Sequence, residues 1–162
     1  MYSLYQIAIA PFGRVRFRDF FFGDVITSIV KPLEDMVYVI YYVVTDEYKN
    51  KFFPNPSNKY VYFGIFFVQF APFWWRFCQC LNRKYYTGLT AHLINAGKYF
   101  SKLIPPFVLI YTTFSAKKVE DINWGLYCFW QTIATLYVTV WDFYMDWGLF
   151  RSAEPGKWGL RS

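Results

Sequence analysis

The sequence predicts an all-α fold: a polytopic helical membrane protein with about four transmembrane helices. Three observations predict it. Hydrophobic residues make up 56% of the 162 residues and charged residues only 17%, where a soluble domain carries roughly 25% charge. Aromatic residues alone reach 25%. Tyr and Trp suit membrane–water interfaces, which reconciles this composition with a mean hydropathy of only +0.16. The apolar residues also fall into four long runs separated by short polar stretches.

Residues 1–18 read as a juxtamembrane lead-in, with the apolar patch Ile7 to Ala10 and the basic cluster Arg14, Arg16 and Arg18. Met1 to Ala10 is short and lacks a basic start, so no cleavable signal peptide is expected. The transmembrane region is expected over residues 19–150. Its first helix, about 20–44, would reach ~37 Å at ~1.5 Å per residue, more than the ~30 Å hydrocarbon core. It is not clean. Asp24, Lys31 and Asp35 are spaced seven and four apart, so they share one helix face, and Lys31 can pair with Asp35. A charged stripe on a spanning helix has to face the bundle interior or a wet cavity, as part of a pathway or as a buried network that sets helix register. Pro32 predicts a kink or break there.

Residues 45–59 form a polar loop with Pro54 and Pro56. The second helix, about 60–81, is dense in Phe, Val and Trp, and Pro72 interrupts it. Arg76, Gln79 and Arg83 give its end a polar, positive face, although interfacial arginines also snorkel. The third helix, about 95–116, holds Lys98, Lys102, Pro105 and Pro106, with Asn95 and Lys98 on its first turns. The fourth, about 124–145, is uncharged until Asp142. Residues 151–162 form a polar tail. Counting basic residues by side of the membrane places eight with the lead-in, the loop near Arg83 and Lys84, and the tail, and five in the other loops. Both termini are therefore predicted cytoplasmic.

The net charge is +6, from 17 Lys and Arg against 11 Asp and Glu. The basic residues sit in short loops and make no dense patch, so nucleic acid is not an expected partner; an anionic lipid face or an anionic substrate fits better. Cys78, Cys80 and Cys128 lie inside apolar runs without metal-site spacing and read as packing residues. His92 is the only histidine and lacks ligand-spaced partners. No metal site and no cofactor is expected. No nucleophile elbow, zinc-protease helix or phosphate-loop pattern occurs. An intramembrane enzyme would rest on His92 and an Asp pair alone, so catalysis is not expected.

The stretch that concentrates the chemistry is Trp141 to Phe150, WDFYMDWGLF. Asp142 and Asp146 are four apart and share one helix face, and Trp141 and Trp147 flank them. Two carboxylates at a helix end can mark the membrane boundary. They can also hold a cation or accept hydrogen bonds from a protonated ligand. The boundary and interior charges are mixed: Arg18, Lys31, Arg76 and Lys98 against Asp19, Asp24, Asp35, Asp142 and Asp146. Basic groups attract an anion, while carboxylates accept from an anion that keeps protons. Phosphate near neutral pH keeps one or two, and fully ionised sulfate keeps none. This chemistry permits phosphate.

Four stretches together resemble the EXS domain: Val15 to Gly23 (VRFRDFFFG), Pro72 to Arg83 (PFWWRFCQCLNR), His92 to Lys98 (HLINAGK) and Trp141 to Phe150. The family includes an animal phosphate exporter that doubles as a retrovirus receptor, plant root-to-shoot phosphate exporters and fungal Golgi relatives. The resemblance covers roughly Arg14 to Arg151, and the last motif is specific. It implies a helical core that exports inorganic phosphate, with this chain as part of a larger EXS bundle. The family's path residues, carried over by motif, are Asp19, Arg76, Lys98, Asp142 and Asp146, with Arg18, Arg83 and Asn95 as weaker candidates. Asp24, Lys31 and Asp35 are candidates from the residues alone. Full members carry an SPX domain that senses inositol pyrophosphate, and further helices; neither is expected here, so the chain reads as a fragment cut on both sides. The expected partners are inorganic phosphate and membrane lipid, with a homodimer left open. The expected location is the plasma membrane or the Golgi. The alternative is a non-transporting Golgi-type relative that acts in retention or recycling of resident proteins.

Overall fold

A computed structural model describes residues 16–46, 59–114 and 120–148. Every element among the described residues is helical: α1 (Phe17–Ser28), α2 (Val30–Val44), α3 (Lys59–Thr87), α4 (Ala91–Phe114) and α5 (Glu120–Trp141), followed by a single π-helical turn, Asp142–Asp146. The tail, most of the lead-in and most of the 45–59 loop lie outside the described residues, as do most of the loop cations counted for orientation.

The first run differs from the single helix expected over 20–44. It is two helices broken at Ile29, whose φ and ψ are −101° and 12°. Pro32 is the cause, but the break falls one turn before it. Pro32 has no N–H for the carbonyl of Ser28, and its ring crowds that carbonyl. Its own position is in the first turn of α2, where a missing N–H is harmless. The break resets the helical phase, so Asp24, Lys31 and Asp35 do not form one interior stripe. Asp24 turns inward from α1. Lys31 and Asp35 pair at 2.8 Å, as spacing four predicts, but their side chains are 71% and 61% exposed.

The α3 helix is longer than expected and continues through Pro72. It ends at Gly88, which takes φ 73° and donates its N–H to the Lys84 carbonyl at 2.9 Å. That left-handed residue closes the helix and lets α4 start at Ala91. The α4 helix runs through Pro105 and Pro106, both buried. Neighbours pack in sequence: α1 and α2 on α3, α3 on α4, and α4 on α5. Among the described residues, no packing joins α1 to α5. The two outer helices therefore flank a cleft whose floor is α3 and α4. The centre of the packing is Cys80, Ala96 and Tyr99, with Phe20, Phe73 and Phe77 against them. Among the described residues, no helix is long and apolar enough to cross a membrane. Charges and prolines interrupt the first three runs, and in the fourth, which has neither before Asp142, the weak hydropathy of Tyr, Trp, Thr and Gln accounts for this.

Candidate functional site

The cleft between α1 and α5 holds a cavity of about 520 Å³, within the ~300–1,000 Å³ usual for small-molecule sites. Asp24 lines it from α1, Arg76 from α3, Lys98 and Lys102 from α4, and Asp142 and Asp146 from the π turn. Three bases thus face three carboxylates. Phe73, Tyr99 and Trp141 supply aromatic walls.

Arg76 is fully buried, and a buried guanidinium is costly unless its donors are engaged; Nε has no hydrogen-bond partner, and the two terminal nitrogens have four. One nitrogen, Nη2, donates to Asp24 Oδ1 at 2.7 Å and to the Tyr99 hydroxyl at 3.0 Å. The other, Nη1, donates to Gln79 Oε1 at 2.9 Å and to the Phe20 carbonyl at 3.2 Å. The Tyr99 hydroxyl donates to the same Asp24 oxygen at 2.8 Å, and Gln79 Nε2 donates to the Asp19 carbonyl at 3.2 Å. The guanidinium also lies 3.7 Å from the Phe20 ring centroid. Arg76 ties α1, α3 and α4 into one unit. This network leaves it a weaker anion ligand than its place in the motif implies and fixes the wall on which the other charges stand.

Lys98 is the more available cation. It is 8% exposed, and its Nζ lies 3.5 Å from Asp142 Oδ1 and 3.9 Å from Asp146 Oδ2. These contacts are long for a charge-assisted bond. An ammonium held loosely between two half-exposed carboxylates can exchange either of them for a ligand oxygen. The π turn places both carboxylates there: Trp147 N–H donates to the Asp142 carbonyl at 2.8 Å, five residues back. Such turns often occur at functional sites.

The other expected residues fall elsewhere. Asp19 is buried, accepts the Arg16 N–H at 3.1 Å and caps the start of α1; it lines neither this cavity nor a second one near Arg83. Arg18 lies 3.8 Å from Asp19 with its side chain half exposed. Lys31 and Asp35 lie on the outer side of α2. Asn95 lines both cavities. Asp24 has a larger part in the site than its sequence position signalled. Tyr99 and Lys102 also line the cleft and are not among the residues the sequence points to; their spacing from Asn95 and Lys98 along one helix is the available signal.

The EXS family model matches residues 1–162. The chain belongs to the EXS family. It is 31% identical to phosphate transporter PHO1 homolog 1 of Arabidopsis thaliana, over 94% of this chain and 19% of that protein. It is 35% identical to solute carrier family 53 member 1 of Homo sapiens, over 91% of this chain and 23% of that protein. It is 31% identical to phosphate transporter PHO1 of Arabidopsis thaliana, over 96% of this chain and 20% of that protein. This EXS chain therefore spans about a fifth of the length of the curated relatives it matches.

Proposed function

We propose that this EXS chain lies in a membrane and forms the core of an inorganic-phosphate path, of the exporting kind. The observation that carries the reading is Lys98 set loosely between Asp142 and Asp146 in an open cleft, on a wall that Arg76 and Asp24 hold rigid. A phosphate oxygen replaces one carboxylate on Lys98. The displaced carboxylate then accepts a hydrogen bond from the proton that phosphate retains. Sulfate gains the first interaction and meets repulsion in place of the second. The phosphate transporters among the relatives agree with this chemistry.

Membrane placement is supported by the distribution of apolar residues. Among the described residues nine hydrophobic side chains are buried, while thirty-two large ones are exposed. A soluble monomer rarely leaves so much contiguous apolar surface open; lipid or neighbouring helices would cover it.

The test is radiolabelled phosphate efflux from cells expressing this chain, beside the chain carrying Asp142→Asn and Asp146→Asn. Efflux that disappears in the double variant, with membrane insertion unchanged, is the expected result. Efflux that persists there and in Lys98→Ala overturns the reading.

A further inference from the structure

A second cavity, of about 500 Å³, lies beside the turn between α3 and α4. The path described above gives it no role. Its polar lining is Arg83 near the end of α3, His92 and Asn95 at the start of α4, and Asp146. It shares Phe20, Asn95, Trp141 and Asp146 with the larger cleft. Those four side chains are therefore the wall between two chambers.

The second chamber has both kinds of partner that a partly protonated oxyanion needs. Arg83 supplies a guanidinium, and the first turn of α4 adds the positive end of a helix of 24 residues. Burial, reinforced by Arg83 and Lys84, pushes the His92 imidazole below its usual value. His92 is thus neutral at pH 7 and still offers one ring N–H. On the accepting side, Asn95 is 8% exposed and its Oδ1 has no hydrogen-bond partner. A buried amide oxygen left unpaired is destabilising, and a ligand that donates a proton relieves it. Asp146 lines the same chamber and is a second acceptor.

The wall itself has an unusual member. The Phe20 ring lies under two cations, with Arg76 at 3.7 Å and Arg83 at 5.0 Å from its centroid. One belongs to each chamber. A ring attracted to both guanidinium groups holds a defined position between them and can turn about χ1 without moving the backbone.

We propose that the chamber at Arg83 and His92 is a second station for a partly protonated oxyanion, inorganic phosphate in the first instance, and that the Phe20 ring is the partition it crosses to reach Lys98. The proposal deepens the phosphate-path reading and rests on it. The anion's charge is met by Arg83, the His92 ring N–H and the positive end of α4, and the proton it keeps is donated in a hydrogen bond to Asn95 Oδ1 or Asp146. Asp146 faces both chambers and is the acceptor common to the two stations.

The test is equilibrium binding of radiolabelled inorganic phosphate to the purified chain in detergent, with release followed after an unlabelled chase. The native chain is expected to bind two equivalents. Arg83→Gln is expected to lose one of them and Lys98→Ala the other, with sulfate competing poorly at both. Phe20→Leu is expected to speed release of the phosphate retained by Arg83→Gln at least threefold, and Phe20→Trp to slow it. A single equivalent in the native chain that Lys98→Ala loses and Arg83→Gln keeps overturns the second station and leaves the path reading standing; a single equivalent that only Arg83→Gln loses overturns the two-station proposal and the Lys98 reading together. Release rates that ignore both Phe20 variants overturn the partition. Absence of phosphate binding in every version removes this proposal and the path reading together.

Discussion

At the residue scale, Arg76 and Lys31 show how differently two basic side chains in apolar runs behave. Arg76 has its two terminal nitrogens committed to four partners inside the molecule. Removing it leaves the buried Gln79 and Tyr99 without their partner, while Asp24, its side chain 46% exposed, can hydrate; stranding buried polar groups in this way costs about 1–3 kcal/mol. Arg76→Met is therefore expected to destabilise the chain by that amount in chemical unfolding. Lys31→Ala, which breaks an exposed pair, is expected to change stability by less than about 1 kcal/mol. Gly23 belongs to the same network. A Cβ there would stand 2.5 Å from Arg76 Cδ and 2.9 Å from Gln79 Oε1. Gly23→Ala is expected to cost about 1–3 kcal/mol through overpacking, although alanine is the better helix former. Gly125→Ala, with open space around the new methyl, serves as the control and should be neutral or slightly stabilising. His92 gives the pH dependence. Its value is lowered in the folded chain, so the unfolded chain binds the proton more readily. Its contribution to stability is present above the unfolded value of ~6.5 and is lost as pH falls through that range. His92→Gln is expected to flatten the stability profile below about pH 6.5, read as the denaturation midpoint at each pH.

At the scale of elements, two local irregularities build the site. The break at Ile29 lets α1 and α2 take separate directions on α3, and it sends Asp24 inward while Lys31 and Asp35 face out. The π turn at Asp142–Asp146 brings two carboxylates to one ammonium. A third device, Gly88, sets the α3–α4 turn that places Arg83 opposite His92. Its φ of 73° suits glycine; a side chain there adds roughly 1–2 kcal/mol of strain. Gly88→Ala is expected to lower the unfolding free energy by about that much, with helix content by circular dichroism unchanged. A variant as stable as the native chain would show that the turn has another conformation open to it.

At the scale of the whole molecule, the outward-facing apolar residues dominate. Phe21, Val39, Val43, Phe67, Tyr111, Phe129 and Leu136 are all exposed, and they come from all five helices. Such a surface needs lipid, detergent or further helices. The chain is expected to stay with membranes through alkaline carbonate extraction and to aggregate when detergent is withdrawn. Recovery as a monodisperse species in detergent-free buffer would argue against membrane placement. The open side between α1 and α5 calls for further helices rather than lipid, because the cleft carries six charges with no wall on that side from the described residues and charges that face lipid are costly.

The sequence by itself determined the helical class, the apolar runs and the family. These follow from composition, from local periodicity and from motifs that are contiguous in the chain. It also held a sufficient signal for the Lys31–Asp35 pair, because four residues along one helix is a local distance. The tertiary structure alone decided which charges meet. Arg76 finds Asp24 across 52 residues and Tyr99 across 23, and Lys98 finds Asp142 across 44. Spacing along a chain carries no information about those approaches; they depend on how helices pack and on where a proline ends one helix and starts the next. The same physics separated Asp24 from Lys31, which share a face only on an unbroken helix. It also gave Asp19, adjacent to Arg18 in the chain, the task of capping α1, outside the lining of the cleft.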